Sequence, residues 1–360
     1  MTRSHRRPAS MTRRGKIVAA TATLTLAIGA ALGYFALFPE QAPAFVRSTL
    51  ARVGFPGAEA APPTPTCPLT GREVPGGVPQ RAALAIKVEN APEARPQASL
   101  NDADVVVEEP VEGGYTRFIA IFQCGGSERV GPVRSGRTTD PTFLRQLGDV
   151  VFGYAGGVSS VKREVTDAGL VDANYLDAAS AYTRDSARLE PHNLYTTTTA
   201  LWKAGRAART APAPLFAYAD AWAGASKKLT TAHLPYSVVS DVTWTWSRRQ
   251  DAWLRAHGSV PHTLEDGSQV SATNVVVQIV EVSDSQIFDA AGNPSPEVEL
   301  IGIGRAYVLS GGRMIRARWE RRSLDDVTTY HAKDGTEITL LPGRTWVELV
   351  PSSVATAFSR

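Results

Sequence analysis

Residues 17–38, IVAATATLTLAIGAALGYFALF, run for 22 positions without a charge. At about 1.5 Å per residue, a helix of that length crosses the roughly 30 Å hydrocarbon layer of a bilayer. Ahead of it stand Arg3, Arg6, Arg7, Arg13, Arg14 and Lys16, with no acid among them, and Glu40 follows its far end. Cations on the leading flank hold that end in the cytoplasm and send the rest of the chain out. A cleaved signal peptide is the alternative. Its apolar core would span about 7–15 residues, and the triplet Ala58-Glu59-Ala60 stands well beyond the run. The length favours an uncleaved anchor, and either reading exports the body. The expected layout is a basic cytoplasmic tail (1–16), a transmembrane anchor (17–38), a Pro/Ala-rich linker (39–66) and a folded body.

The chain carries a net charge of +3, but the six cations of the tail leave −3 on everything after residue 16. A nucleic-acid-binding fold needs its cations on the fold itself, so that class is excluded. Hydrophobic content of 43% and charged content of 20% exclude a disordered body. Cys67 and Cys124 are the only two cysteines. In an oxidising compartment an even count suggests one disulfide, and two separate thiols are the other possibility.

Two domains are expected, 67–210 and 211–355, parted at APAP (211–214). In the first, the apolar runs 83–88, 105–107, 118–122 and 150–154 read as strands buried on both faces. TTDPTFLRQLG (138–148) reads as a helix with Thr139 or Asp140 as cap, Pro141 in the first turn and Gly148 as stop. Further helices fit 159–168 and the segment from Thr197 or Thr198. The early strands follow too closely for helical crossovers, so a layered α/β domain with a mixed sheet is expected. Beyond 214 the pattern alternates with period two and reads as a mainly antiparallel β domain, sandwich or barrel, and the fold class is therefore α+β. Trp244, Trp246, Trp253, Trp319 and Trp346 fit packing better than a glycan platform.

GPVRSGRTTDP (131–141) sets Arg134 and Arg137 ahead of a helix start, where the dipole is already positive. Two guanidiniums there fit a held anion, phosphate or carboxylate. Ion pairs with Glu108, Glu109 or Glu112 are the alternative. Glu112 precedes the glycine turn 113–114, and His192 and Asn193 lie in a loop held by Pro191. Glu112 and His192 could form an acid–base pair. No zinc, phosphate-loop, nucleophile-elbow or other cofactor signature is present, and Ser159-Ser160-Val161-Lys162 lacks the companion elements of penicillin-recognising enzymes.

Taken in order, CPLTGREV, ARPQASLNDADVVVEEPVEGGYTRFIAIF, ERVGPVRSGRTTDPTF, EPHNLYTTTTALW and LLPGRTWVELVP resemble the YerB-like family. The resemblance spans about 67–352. It implies a bacterial exported protein, often a lipoprotein, with N- and C-terminal family domains, tied to cell-envelope and peptidoglycan machinery that includes penicillin-binding proteins. It carries no catalytic residue over. Cys67 follows PTPT, not an apolar lipobox, and the membrane span stands in its place. The family's polar positions fall on Arg95, Asp104, Glu112, Thr116, Arg117, Arg134, Arg137, His192 and Asn193. Apart from Asp104 and Thr116, these are the expected ligand-binding residues. The expected role is a membrane-tethered extracytoplasmic protein that binds an anionic wall component or a wall-synthesis partner. A cell-wall hydrolase or transferase using Glu112 and His192 is the alternative.

Overall fold

The computed structural model describes residues 64–360, except Val158, Ala207, Arg209, Ala223, Gly224, Ala290 and Ala291, together with Tyr34, Phe35, Phe38, Gln41, Pro43 and Val46. The basic tail, the expected anchor up to residue 33 and most of the linker lie outside the described residues. Among the described residues no helix is long and apolar enough to cross a membrane. The chain divides at Thr64/Pro65, and the second unit, Pro65–Arg360, holds the sheets and the cleft described below.

The apolar runs in the first half of this second unit become β1 (Ala83–Glu89), β2 (Val105–Pro110), β3 (Thr116–Phe122) and β4 (Val150–Gly153). The first three extend past their apolar cores and so carry polar residues at one end: Glu89, Glu108, Glu109 and Arg117. Helix α1 (Thr139–Leu144) passes through a 3₁₀ turn and stops at Gly148, whose φ of +74° suits glycine. Thr138 precedes α1 without a side-chain cap bond. Helix α2 is Ser159–Asp167, and α3 is Thr198–Ala204, where the Thr197 hydroxyl accepts from the Ala200 N–H at 3.0 Å. Short strands β5 (Val171–Asp172), β6 (Tyr182–Arg184) and β7 (Leu194–Thr196) complete this half.

The second half holds β8 (Lys227–Lys228), β9 (Thr231–Pro235), β10 (Asp241–Ser247), β11 (Ala252–His257), β12 (Val260–Pro261) and β13 (Ser271–Ala272). It continues with β14 (Asn274–Val280), β15 (Val282–Phe288), β16 (Pro294–Val298), β17 (Gly302–Ser310) and β18 (Arg313–Arg321). Last come β19 (Thr329–Ala332), β20 (Thr345–Pro351) and β21 (Ala357–Ser359).

The main sheet runs β19-β18-β17-β14-β20-β2-β3-β1-β4-β5, with β8 beside β18. Strand β20 lies parallel to both β14 and β2, and it carries the sheet from one half of the unit into the other. Strands β1 and β4 are also parallel, while β1, β2 and β3 pair antiparallel, so the sheet is mixed. A second, antiparallel sheet runs β12-β11-β10-β9-β21, with β13 on β11. Among the described residues neither sheet closes on itself, so of the two expected β architectures the barrel is not formed.

Alternation along the strands divides the core between the two faces of the main sheet. Leu84, Ile86, Val88 and Phe118 share one apolar cluster with Leu201 of α3 and with Trp244 and Trp253 of the second sheet. Ala85, Val107, Ile119 and Phe152 share the other with Phe143, Leu144, Val161 and Val165 of α1 and α2. Trp244, Trp253 and Trp346 are buried in this packing, which leaves no exposed aromatic platform from those three. The Cys67–Cys124 disulfide is present, with Cα atoms 6.1 Å apart.

Candidate functional site

The polar ends of β1–β3 gather charge by register. Glu89 and Glu109 are the two neighbours of Arg117 across the sheet. Directly opposed residues point to one face, so Glu89, Arg117 and Glu109 share a row, with Lys87 two positions back on β1. Glu108 points the other way. Arg255 donates to both Glu108 oxygens there, at 2.7–3.2 Å, and both side chains are fully buried. The adjacent acids 108 and 109 thus serve opposite faces.

Above the row lies a cleft of about 610 Å³. Two segments bring residues to its walls. Gly113 and Gly114, at φ +67° and +78°, turn the chain between β2 and β3 and set Glu112 and Tyr115 at the cleft. The loop 131–137 is bound like a strand: Arg134 N–H donates to Lys87 O, Ala155 N–H to Arg134 O and Gly136 N–H to Gly156 O. Gly136 serves by its missing side chain, because a Cβ there would stand 3.1 Å from Tyr154 and from Val161.

Both arginines of this loop meet carboxylates. Arg137 donates to Glu112 Oε2 from Nε at 2.9 Å and Nη2 at 2.5 Å, while Ser295 Oγ donates to Glu112 Oε1 at 2.7 Å. Burial alone would raise the Glu112 pKa. The Arg137 bonds and charge, with Ser295, outweigh it and hold the carboxyl below its usual range. Arg137 and Ser295 thus favour the ionised form of Glu112. Arg134 Nε donates to Glu89 Oε1 at 2.9 Å, so its partner is not one of the three acids expected from the sequence. His192 Nδ1 lies 2.9 Å from the other oxygen, Glu89 Oε2.

Arg117 differs from its neighbours. Its one side-chain hydrogen bond among the described residues, from Nη1 to Ser135 O at 3.1 Å, goes to a backbone carbonyl and not to a carboxylate. Burial first, then the charges of Arg137 and Arg134, bring its pKa down to about 10, with Glu112 and Glu89 opposing. It remains a cation at neutral pH, but a poorly compensated one, and a charge in that position gains most from an arriving anion.

The helix start offers the ligand nothing. Asp140 Oδ2 accepts from the Arg137 N–H at 2.6 Å and Oδ1 from Lys87 Nζ at 2.6 Å. A carboxylate of the chain itself thus answers the positive end of α1. Lys87 also pairs with Glu109, and both are fully buried. Burial and the Asp140 charge, against Lys87, push Glu109 up to about 7.

Of the expected residues, Glu112, Arg117, Arg134, Arg137 and His192 line this one cleft, and Thr116 does too. Arg95 and Asn193 are not in its walls. Arg95 donates to Asn90 O at 2.8 Å; burial first and the Arg255 charge second bring its pKa down to about 10, which ties it to the Glu108–Arg255 cluster. Asn193 is buried behind His192. It accepts from Arg184 at 2.7 Å and donates weakly to Asp185 O and Arg188 O, so it holds the loop that presents the imidazole. Asp104 lies at the opposite end of β2, accepting from the backbone of Gln123 and Cys124. A larger groove, about 800 Å³, lies along β18 and β19 and contains none of the expected residues.

Residues 69–211 match the family described as protein of unknown function (DUF3048), N-terminal domain, and residues 232–347 match its C-terminal domain. The chain is 31% identical over 301 residues to the "Putative lipoprotein YerB" of Bacillus subtilis (strain 168), covering 81% of this chain and 88% of that protein. It belongs to the YerB-like family. The crystal structure of the YerB protein from Bacillus subtilis superposes with a TM-score of 0.70 at 27% sequence identity, covering 82% of this chain and all of that one.

This YerB-like chain also brings to the cleft residues that sequence reasoning missed. Glu89 follows the apolar run 83–88 directly and carries no motif of its own. Phe288, Asp289 and Ser295 come from β15 and β16 and the turn between them, more than 150 residues after Arg137. No motif marks that hairpin. The only signal was Asn293-Pro294, a turn signature without chemistry.

Proposed function

We propose that this chain is an envelope binding protein whose cleft takes the anionic group of a wall component on Arg117 and Arg134. The observation that carries this reading is Arg117, a half-buried guanidinium with no carboxylate within hydrogen-bond distance among the described residues, beside two cations that each have one. Among the described residues Arg134 uses only Nε, on Glu89, which leaves its two terminal nitrogens for a ligand. The setting outside the cytoplasm is supported by the basic-flanked apolar run and by the lipoprotein name of the Bacillus relative. A penicillin-binding protein as wall-synthesis partner rests on the family resemblance alone. The test is titration calorimetry of purified wall fragments into the full chain in detergent, beside Arg117→Gln and Arg134→Gln. Loss of one charge-assisted contact weakens binding by roughly tenfold or more. Equal affinity in all three proteins rejects the site.

One observation favours a second reading, hydrolase or transferase. A carboxylate fixes the His192 ring through Nδ1, as it would for a general base acting through Nε2. Under that reading Glu89 positions His192, and Glu112 is a structural ion. Wall-fragment turnover by the wild type that vanishes in His192→Gln supports it, and no turnover discards it.

A further inference from the structure

Four carboxylates line the cleft, Glu89, Glu93, Glu112 and Asp289, against the guanidiniums of Arg117, Arg134 and Arg137. A compact multiply charged anion such as phosphate would approach Arg117 with those acids around it. Two of the acids are paired with cations, and a third is held by neutral donors that leave its charge in place. Glu112 is held by Arg137 and Ser295, and Glu89 by Arg134 and His192. Asp289 accepts from the backbone and side chain of Asn293. Two sites of opposite sign remain. One is Arg117 with the free nitrogens of Arg134. The other is Glu93, exposed, on the short 3₁₀ turn Pro92–Ala94, in no ion pair within 4 Å among the described residues, its charge reaching Arg95 only at longer range. The same cleft is lined by two exposed aromatic residues, Tyr115 at 37% and Phe288 at 54%.

We infer that the ligand is dipolar, an amino acid or short peptide with free ends: its carboxylate binds Arg117 and Arg134, its ammonium faces Glu93, and an apolar side chain lies on Tyr115 and Phe288. This rests on the anion reading above and narrows it, since a phosphate has no group for Glu93. A volume of about 610 Å³ lies within the usual range for small-molecule sites. The rings cover the apolar part of the ligand, while the charged ends fix its direction.

The test uses the full chain in detergent and four probes: leucyl-leucine, its N-acetyl form, its C-terminal amide, and inorganic phosphate, each titrated by calorimetry. Leucyl-leucine binds tightest, and each blocked form is weaker by roughly tenfold, the worth of one charged contact. Glu93→Gln abolishes the difference between free and acetylated peptide and leaves the penalty of the amide. Arg134→Gln does the reverse. If the acetylated peptide binds as well as the free one, or Glu93→Gln keeps their difference, the dipolar ligand is wrong and the anion site stands. Phosphate binding alone, weakened by Arg134→Gln, also rejects the dipolar ligand and keeps the anion site. No probe binding to the wild type overturns both.

Discussion

His192 and Glu89, more than one hundred residues apart, meet with Nδ1 2.9 Å from Oε2, while Arg134 Nε holds Oε1 of the same carboxylate at 2.9 Å. One buried acid at the end of β1 thus anchors two cleft residues from different loops. Glu89→Ala removes both anchors and leaves Arg134 without its ion pair. The expected cost is about 1–3 kcal/mol, the range for charged hydrogen bonds lost from a partly buried site. Amide exchange should accelerate in residues 185–193 and 131–137 ahead of the rest of the unit. Unchanged exchange in both loops would show that Glu89 does not anchor them.

Glu109 carries a pH signature. Burial and Asp140 push its pKa up to about 7 from the ordinary 4.5, with Lys87 and Arg137 opposing. Between those values the folded chain holds a proton that the unfolded chain has lost. This contribution to stability is full below pH 4.5 and is lost as pH rises through 7. One proton sets the upper limit of the slope at about 1.4 kcal/mol per pH unit. Glu109→Gln removes this component, so subtracting its urea-midpoint profile from that of the wild type should leave a fall between about pH 5 and 7.5. Two parallel profiles would refute the assignment.

Arg255 and Glu108 form a fully buried pair, and Arg255 also donates from Nη1 to His262 Nδ1 at 2.8 Å. Burial first, then the Arg255 charge, hold the His262 pKa well below its usual value, so the ring is neutral and accepts at Nδ1. Arg255→Met leaves the Glu108 charge unpaired beside Glu348 and should cost about 3–5 kcal/mol. Adding Glu108→Gln to that variant recovers part of the loss. Chemical denaturation of both variants measures it, and a double variant as unstable as the single one refutes the charge argument.

The Cys67–Cys124 bridge closes a loop of 57 positions that spans β1 to β3. In the chain-entropy model such a loop is worth about 4 kcal/mol. The Cys67→Ser/Cys124→Ser variant should lose stability of that order while keeping the cleft, because both positions lie at the other end of the strands from Glu112. Denaturation and ligand titration of the same sample separate the two effects. Lost binding in a folded variant would place the bridge in the site's support.

The charged motifs were legible because they interrupt apolar runs. Glu112, Arg117, Arg134, Arg137 and His192 each stand at a strand end or in a short loop, and the structure sets all five around one cleft. Arg95 and Asn193 carry the same kind of signal, yet their side chains go to the Asn90 carbonyl and to the loop behind His192. Residue type and local context do not tell these cases apart.

The chain by itself determined what short-range physics determines: strands where apolar runs stop at turns, helices where Pro141 and Gly148 bracket a turn, a mixed sheet where the connections are too short for crossovers, and membership of a family through motifs in order. Tertiary structure alone decided which charges meet. Insertion of β20 between β14 and β2 and the return of the β15–β16 hairpin to Glu112 unite residues far apart in sequence. Alternation sends Glu108 and Glu109 to opposite faces, and only the neighbours present on each face select Arg255 for one and Lys87 for the other. Periodicity is written in adjacent residues, whereas a charge is paired by whatever the sheet order brings within a few ångströms.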